Sequence, residues 1–341
     1  MKILLIMDPG IAVPPPLYGG HERLVYMFAE EYQKMGHTVY LLAGPGSKIS
    51  GTAQSFGIND LKRSKFQKIK ELLFAWKFLY KKRKDFDLIH NFGRLAYLIP
   101  ILNASVKKIM TYGRTVDAKN IYWINKFANQ NLRFTAPSYD CVASVKSIGH
   151  WTRVYNAIDF SKYKLAKNVG PDAPLIFLSR LDRVKGCHIA IQVAKATNQK
   201  LIIAGNISAL ESEKEYFDKE IKPFIDNEQI SYVGAVNDEQ KNEYLGSAKA
   251  MLFPINVREA FGMVMAEAMA CGTPVIAFNA GATPEVIIDS VNGYVVNNKD
   301  EMIQTLDQVK LIDRSHCREN AESRFDVTVI ANEYLTLFDH N

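Results

Sequence analysis

Short, nearly continuous apolar runs alternate along the chain with longer stretches in which apolar residues recur every three or four positions. Runs such as Leu201-Ile202-Ile203-Ala204 suit strands covered on both faces. Their alternation with helical periodicity is the pattern of parallel α/β domains. In the first half the pattern predicts strands at residues 2–7, 38–43, 88–90, 109–111 and 134–136. In the second half it predicts them at 175–178, 200–204, 230–233, 250–253, 273–277 and 293–296. Helices are predicted to begin near Gly20, Phe66, His188, Ser212, Asn237, Gly262, Pro284 and Asp300. The pattern restarts at Pro171-Asp172-Ala173-Pro174, after a polar stretch at 161–170 that reads as an interdomain linker. A last helix near 327–338 carries Val329, Ile330, Tyr334, Leu335 and Leu337 at helical spacing and needs a partner to cover that stripe.

Composition narrows this picture. The chain has 341 residues, 48% hydrophobic and 23% charged, which excludes global disorder and suggests two domains. Four separated cysteines, with no C-x-x-C pair, write neither a zinc knuckle nor a redox motif and fit a reducing cytosol. The opening 1–7 is too short for a signal-peptide core, and no apolar stretch approaches the ~18 residues a membrane span needs. A cytoplasmic location is therefore expected. Charge is lopsided: residues 1–160 carry 23 Lys and Arg against 11 Asp and Glu, and the remainder 19 against 25. The first half is thus expected to meet something anionic.

The chemistry concentrates in Arg258-Glu259-Ala260-Phe261-Gly262-Met263-Val264-Met265-Ala266-Glu267-Ala268-Met269-Ala270-Cys271-Gly272-Thr273-Pro274-Val275. It reads as a loop after a strand, a helix starting near Gly262, then the next strand. A helix N-terminus at the carboxyl edge of a parallel sheet offers free N–H groups and a positive dipole end to a phosphate. Glu259 in the loop and Glu267 in the second helical turn can face one crevice, where carboxylates suit sugar hydroxyls. A solvated Glu267 and a capping Glu259 are the plainer alternative. Arg180 and Lys185, after the 175–178 strand, suit a diphosphate, or else lie in a solvated loop closed by Gly186. Gly19-Gly20 follows the first strand and opens a helix without a dinucleotide fingerprint.

This stretch closely resembles the E-x₇-E signature of retaining family 4 glycosyltransferases of the GT-B fold. Further matches fall in order: Pro16-Leu17-Tyr18-Gly19-Gly20-His21-Glu22-Arg23, Gly36-His37-Thr38-Val39, Val154-Tyr155-Asn156-Ala157-Ile158-Asp159, Leu178-Ser179-Arg180-Leu181-Asp182-Arg183-Val184-Lys185-Gly186 and Gly281-Ala282-Thr283-Pro284-Glu285-Val286-Ile287. The resemblance implies two Rossmann-like, doubly wound domains facing across a cleft: an acceptor domain at 1–160, joined by the helix at 325–341, and a nucleotide-sugar domain at 171–324. It implies that Glu267 holds ribose hydroxyls and Glu259 holds hydroxyls of the transferred sugar. Backbone N–H groups of Phe261, Gly262 and Met263 would serve sugar and phosphates. Arg180 and Lys185 would hold the diphosphate, and the Gly19-Gly20 loop would close over it. Beyond the donor sugar nucleotide no cofactor is expected, and no metal.

One position departs from the family. Where members often carry D-x-x-H-x-H, this chain reads Asp87-Leu88-Ile89-His90-Asn91-Phe92, so His90 is a catalytic candidate or a core histidine, and Asn91 or Arg94 would supply polar contacts instead. Asp85-Phe86-Asp87 matches a metal-binding D-x-D but lies before its strand, at the wrong edge of the sheet. Residues 61–84, from Leu61 to Lys84, hold ten Lys and Arg with one acid, Glu71, while Phe66, Ile69, Leu73, Trp76 and Tyr80 recur at helical spacing. Such a helix suits an anionic membrane surface, unless its stripe is simply the inner face of a core helix. Nucleic acid is not expected, since no readout motif accompanies the charge. The function expected is retaining transfer of a sugar from a UDP- or GDP-sugar to an acceptor hydroxyl in envelope or polysaccharide assembly. A nucleotide-sugar epimerase and a non-catalytic binding module are the alternatives.

Overall fold

The computed structural model describes residues 1–16, 19–116 and 118–339. Two compact units emerge, one formed by Met1–Ala157 with Val327–Asn341 and the other by Ile158–Asp326. In the first, β1 (Lys2–Ile6), β2 (Thr38–Ala43), β3 (Thr52–Ser55), β4 (Leu88–Asn91), β5 (Lys107–Thr111), β6 (Leu132–Ala136) and β7 (Trp151–Arg153) form a parallel sheet in the order β3-β2-β1-β4-β5-β6-β7. In the second, β8 (Leu175–Leu178), β9 (Leu201–Ala204), β10 (Ile230–Gly234), β11 (Ala250–Phe253), β12 (Val275–Phe278) and β13 (Gly293–Val296) form another, in the order β10-β9-β8-β11-β12-β13. Each is a Rossmann-type doubly wound sheet. The chain winds outward from β1 or β8, then returns to that strand's other side with β4 or β11. That reversal leaves a crevice at the carboxyl ends of the two central strands, where open α/β sheets bind ligands.

The apolar stripes explain the layers. The helix Gly20–Lys34 buries Leu24, Val25, Phe28, Ala29 and Tyr32 against the first sheet. The last helix, Val327–Thr336, brings Val327, Ile330, Ala331 and Tyr334 into the same core, with Tyr334 edge-on to Phe28 at 5.2 Å between ring centroids. The partner its stripe needed is therefore the first unit. In the second unit the helix Met263–Ala270, apolar at every position but Glu267, is buried on most of its sides.

Two expectations are corrected. Residues 161–170 are not a free linker; they pack within the second unit. Ala166 N–H donates to the Cys271 carbonyl at 3.1 Å, and Arg314 Nε donates to the Ala166 carbonyl at 2.6 Å. Backbone carbonyls of the segment accept from the Arg314 and Arg318 guanidiniums, while its polar side chains, Lys162, Lys164, Lys167 and Asn168, stay exposed. The stripe on the basic helix, Lys65–Lys82, is not its inner face either. Glu71, Ala75 and Leu79 turn inward, while Phe66, Ile69, Leu73 and Tyr80 are exposed.

Candidate active site

The crevice of the second unit is built by the loops that follow β8 and β11. Arg180, two residues past β8, is gripped by Asp182, whose Oδ2 accepts from both Nε and Nη2. Asp182 is itself buried, so the guanidinium is oriented from below while its side chain stays half-exposed. Lys185 Nζ donates to Glu259 Oε2 at 2.8 Å, and the Ala260 N–H donates to Glu259 Oε1 at 3.2 Å. Two positions far apart in sequence thus meet as a partly buried ion pair.

Backbone packing fixes that meeting. Gly186 has φ 79°, and a Cβ there would stand 2.2 Å from the Pro254 carbonyl oxygen at the end of β11. The Asn256 N–H donates to the Val184 carbonyl at 2.8 Å, tying the two loops together. On the other side Gly281, at φ 61°, would place a Cβ 2.3 Å from the Glu259 carbonyl oxygen, which accepts from Ala282 N–H at 2.8 Å. Only glycine permits both approaches. Gly262, also left-handed at φ 77°, launches the helix at Met263, so the first-turn N–H groups lie at the carboxyl edge of β11.

Glu267 belongs to a second network. Its Oε1 accepts from Lys241 Nζ at 2.7 Å and from the Tyr163 hydroxyl at 3.0 Å. Burial, with the Glu267 charge beside it, pushes the Tyr163 phenol well above its usual range, so it remains a donor at neutral pH. The two carboxylates of the signature therefore do not share a partner: Glu259 faces Lys185 and Glu267 faces Lys241. Tyr163 and Lys241 were not anticipated. Nothing local marks them, because their contacts with Glu267 span 104 and 26 residues of sequence.

Residues 161–324 match the family described as Glycosyl transferases group 1, and residues 18–162 match Glycosyltransferase Family 4. Together they cover most of the chain. The chain belongs to the family 4, group 1 glycosyltransferases. It is similar to the phosphatidyl-myo-inositol mannosyltransferase of Propionibacterium freudenreichii, at 29% identity over 48% of this chain and 45% of that one. It is also similar to the lipopolysaccharide 1,2-N-acetylglucosaminetransferase of Salmonella typhimurium, at 23% identity over 86% of this chain and 84% of that one. Apart from such longer matches, it spans about half the length of curated relatives like the mannosyltransferase. The Anabaena HepE structure with UDP and glucose shares the GT-B fold, with a TM-score of 0.73, 20% identity and all of both chains covered.

Within this glycosyltransferase the first unit has its own switch point, between β1 and β4. Gly19 and Gly20 follow β1 and open the helix Gly20–Lys34. A Cβ on Gly19 would stand 2.8 Å from both Glu22 Oε2 and Pro15 Cβ, which explains glycine there without a ligand. His90 is a core histidine and not an exposed catalytic one. It has no exposed surface, stacks on Phe92 at 4.0 Å between centroids, and shares a hydrogen bond with Thr111 Oγ1 at 2.7 Å. Burial, with His21 nearby, holds its imidazole far below the ordinary range and hence neutral. Phe92, standing where the family's second histidine would be, supplies that stacking surface. Asn91 is spent on a turn, its Oδ1 accepting from the Gly93 N–H at 3.0 Å. Arg94 donates to Asp8 Oδ1 at 2.9 Å and also pairs with Glu71. Asp85 pairs with Lys82 at 2.8 Å and Asp87 accepts from Lys2 N–H at 2.7 Å, so both serve the amino end of β4.

Proposed function

We propose that the chain transfers a sugar, with retention at the anomeric carbon, from a nucleotide-diphosphate donor bound in the second unit to an acceptor hydroxyl. The observation that carries this reading is the convergence of Arg180, Lys185, Glu259 and the Met263–Ala270 helix start on the β8–β11 switch point. The Anabaena neighbour, solved with UDP and glucose and with UDP-glucose, supports a uridine donor class.

In this reading a diphosphate displaces Glu259 from Lys185 and takes the ammonium for itself. Freed, the Glu259 carboxylate accepts hydrogen bonds from hydroxyls of the transferred sugar. Glu267 keeps Oε1 on Lys241 and Tyr163 and turns Oε2 to the ribose. The acceptor oxygen forms its bond to the anomeric carbon as the bond from that carbon to the phosphate oxygen breaks. The acceptor's proton passes to the departing phosphate oxygen on the same face. Arg180 and Lys185 stabilise the charge that grows there. No step is asked of His90.

The test is transfer from UDP- and GDP-sugars across an acceptor panel, with the product's anomeric configuration read by NMR. Lys185→Ala and Glu259→Ala are each expected to lower the rate by on the order of 10²–10³-fold, as loss of a preorganised electrostatic group does, with the circular dichroism spectrum unchanged. Wild-type rates in either variant contradict the site. Conversion of the donor without acceptor would instead mark an epimerase, and binding without turnover a recognition module.

A further inference from the structure

We propose that one face of the first unit docks on an anionic phospholipid bilayer. The helix Lys65–Lys82 has apolar residues on two sides. Glu71, Ala75 and Leu79 point into the unit. At ~100° per residue, Phe66, Ile69, Leu73 and Tyr80 fall within about 60° of one another on the far side. There they are 65%, 53%, 56% and 59% exposed. Lys70, Lys77 and Lys81 project from the same outer side by the same geometry.

The charge on that face is single-signed. Within residues 61–84 the one acid, Glu71, is turned inward and pairs with Arg63 at 3.3 Å and with Arg94. It therefore neutralises nothing outside. An amphipathic helix that packs one face on a core ordinarily leaves a polar outer face. Here the outer face carries large apolar side chains framed by ammonium groups.

A second wing continues the surface. The segment Leu95–Ile101 packs along the helix, with Trp76 Nε1 donating to the Ala96 carbonyl at 2.8 Å. Its other side borders an open groove of about 400 Å³ lined by Ile99, Pro100, Leu102, Trp123, Ile124 and Phe127. Tyr122, Trp123 and Phe127, on the helix Ala118–Phe127, are each more than half exposed. Amphipathic aromatic rings beside lysines are the side chains that settle at a membrane's interfacial zone. Exposed apolar area of this extent marks an interaction surface rather than a solvated face. The matching occupant is an anionic bilayer, which buries the rings and the aliphatic stripe while its headgroups meet the lysines. A bare polyanion would use only the charge.

The surface lies in the first unit and involves none of the donor-site residues, so its test stands apart from the transfer assay. The full chain is sedimented with vesicles of equal parts phosphatidylglycerol and phosphatidylcholine, and with phosphatidylcholine vesicles alone. Binding to the first and not the second is expected, weakening as salt rises. Lys70→Glu with Lys77→Glu and Lys81→Glu should weaken partitioning by on the order of a hundredfold, at about fivefold per lysine lost. Ile69→Ser with Leu73→Ser should weaken it at least about tenfold, since buried apolar surface is lost. Lys214→Glu with Lys219→Glu, exposed on the second unit, should leave it unchanged. Failure to bind anionic vesicles overturns the proposal, as does equal binding to neutral ones. A lysine variant that loses binding while the serine variant keeps it also overturns it, because charge alone would then hold the chain and the apolar stripe would not enter the bilayer.

Discussion

At the scale of residues, the proposed donor site rests on charges that the chain pairs with one another. Lys185 is neutralised by Glu259 and Arg180 by Asp182, so the diphosphate of the proposed donor would have to exchange partners rather than fill a bare cationic hole. The first unit shows the opposite device, titratable groups held neutral by burial. His21 is lowered to about 4, first by burial and then by Arg114, and His90 lies well below 6.5. The unfolded chain binds protons near pH 6.5 that the folded chain refuses until far lower pH. Stability is therefore fully present above about pH 7 and lost as pH falls from about 6.5 toward 4. Urea unfolding should show the first unit weakened by about 2 kcal/mol at pH 5 relative to pH 7 for His21 alone, a share of the slope that His21→Gln removes while that of His90 remains. An unchanged pH dependence in the variant would show that His21 titrates normally. His90 itself was readable as a strand-end histidine; what placed it in the core was Phe92, together with Tyr334 from the far end of the chain.

Elements were legible where they carry an apolar run. The strands β8, β11 and β13 match their apolar runs residue for residue, whereas β3 and β7, at the edges of the first sheet, carry no apolar run and escaped prediction. The helices Ala118–Phe127 and Arg314–Phe325 escaped as well, the latter because its buried side is anchored by arginine. Arg314 Nη1 donates to the Ala248 carbonyl at 2.9 Å, and Nη2 to the Gly246 carbonyl at 2.9 Å and Thr273 Oγ1 at 2.7 Å. Such a guanidinium ties the 161–170 segment, the end of the Asp238–Ser247 helix and the turn before β12 into one body. Arg314→Ala leaves several buried acceptors unsatisfied and should destabilise the second unit by about 3 kcal/mol in chemical denaturation, far more than a surface substitution. A loss under about 1 kcal/mol would mean that water replaces it freely.

At the scale of the whole molecule, one topology occurs twice, but only the second unit gathers paired charges, Arg180 with Asp182 and Lys185 with Glu259, at its reversal of strand order. Family signatures carried the second unit's switch point, because Arg180, Lys185, Glu259 and the helix at Met263 are local in sequence to β8 and β11. The supports, Asp182 apart, come from elsewhere: Tyr163 from the segment that read as a linker, and Lys241 from a largely polar helix. Charge asymmetry between the halves pointed to an anionic encounter in the first unit, and the exposed stripe on Lys65–Lys82 gives that asymmetry a surface. The most direct test of the central claim is a crystal structure of the chain soaked with a nucleotide sugar. The account predicts the diphosphate within hydrogen-bond distance of Arg180 and Lys185, Glu259 released from Lys185 onto the sugar, and the ribose on Glu267. A donor bound anywhere else, or one bound there with the Lys185–Glu259 pair intact, would contradict it.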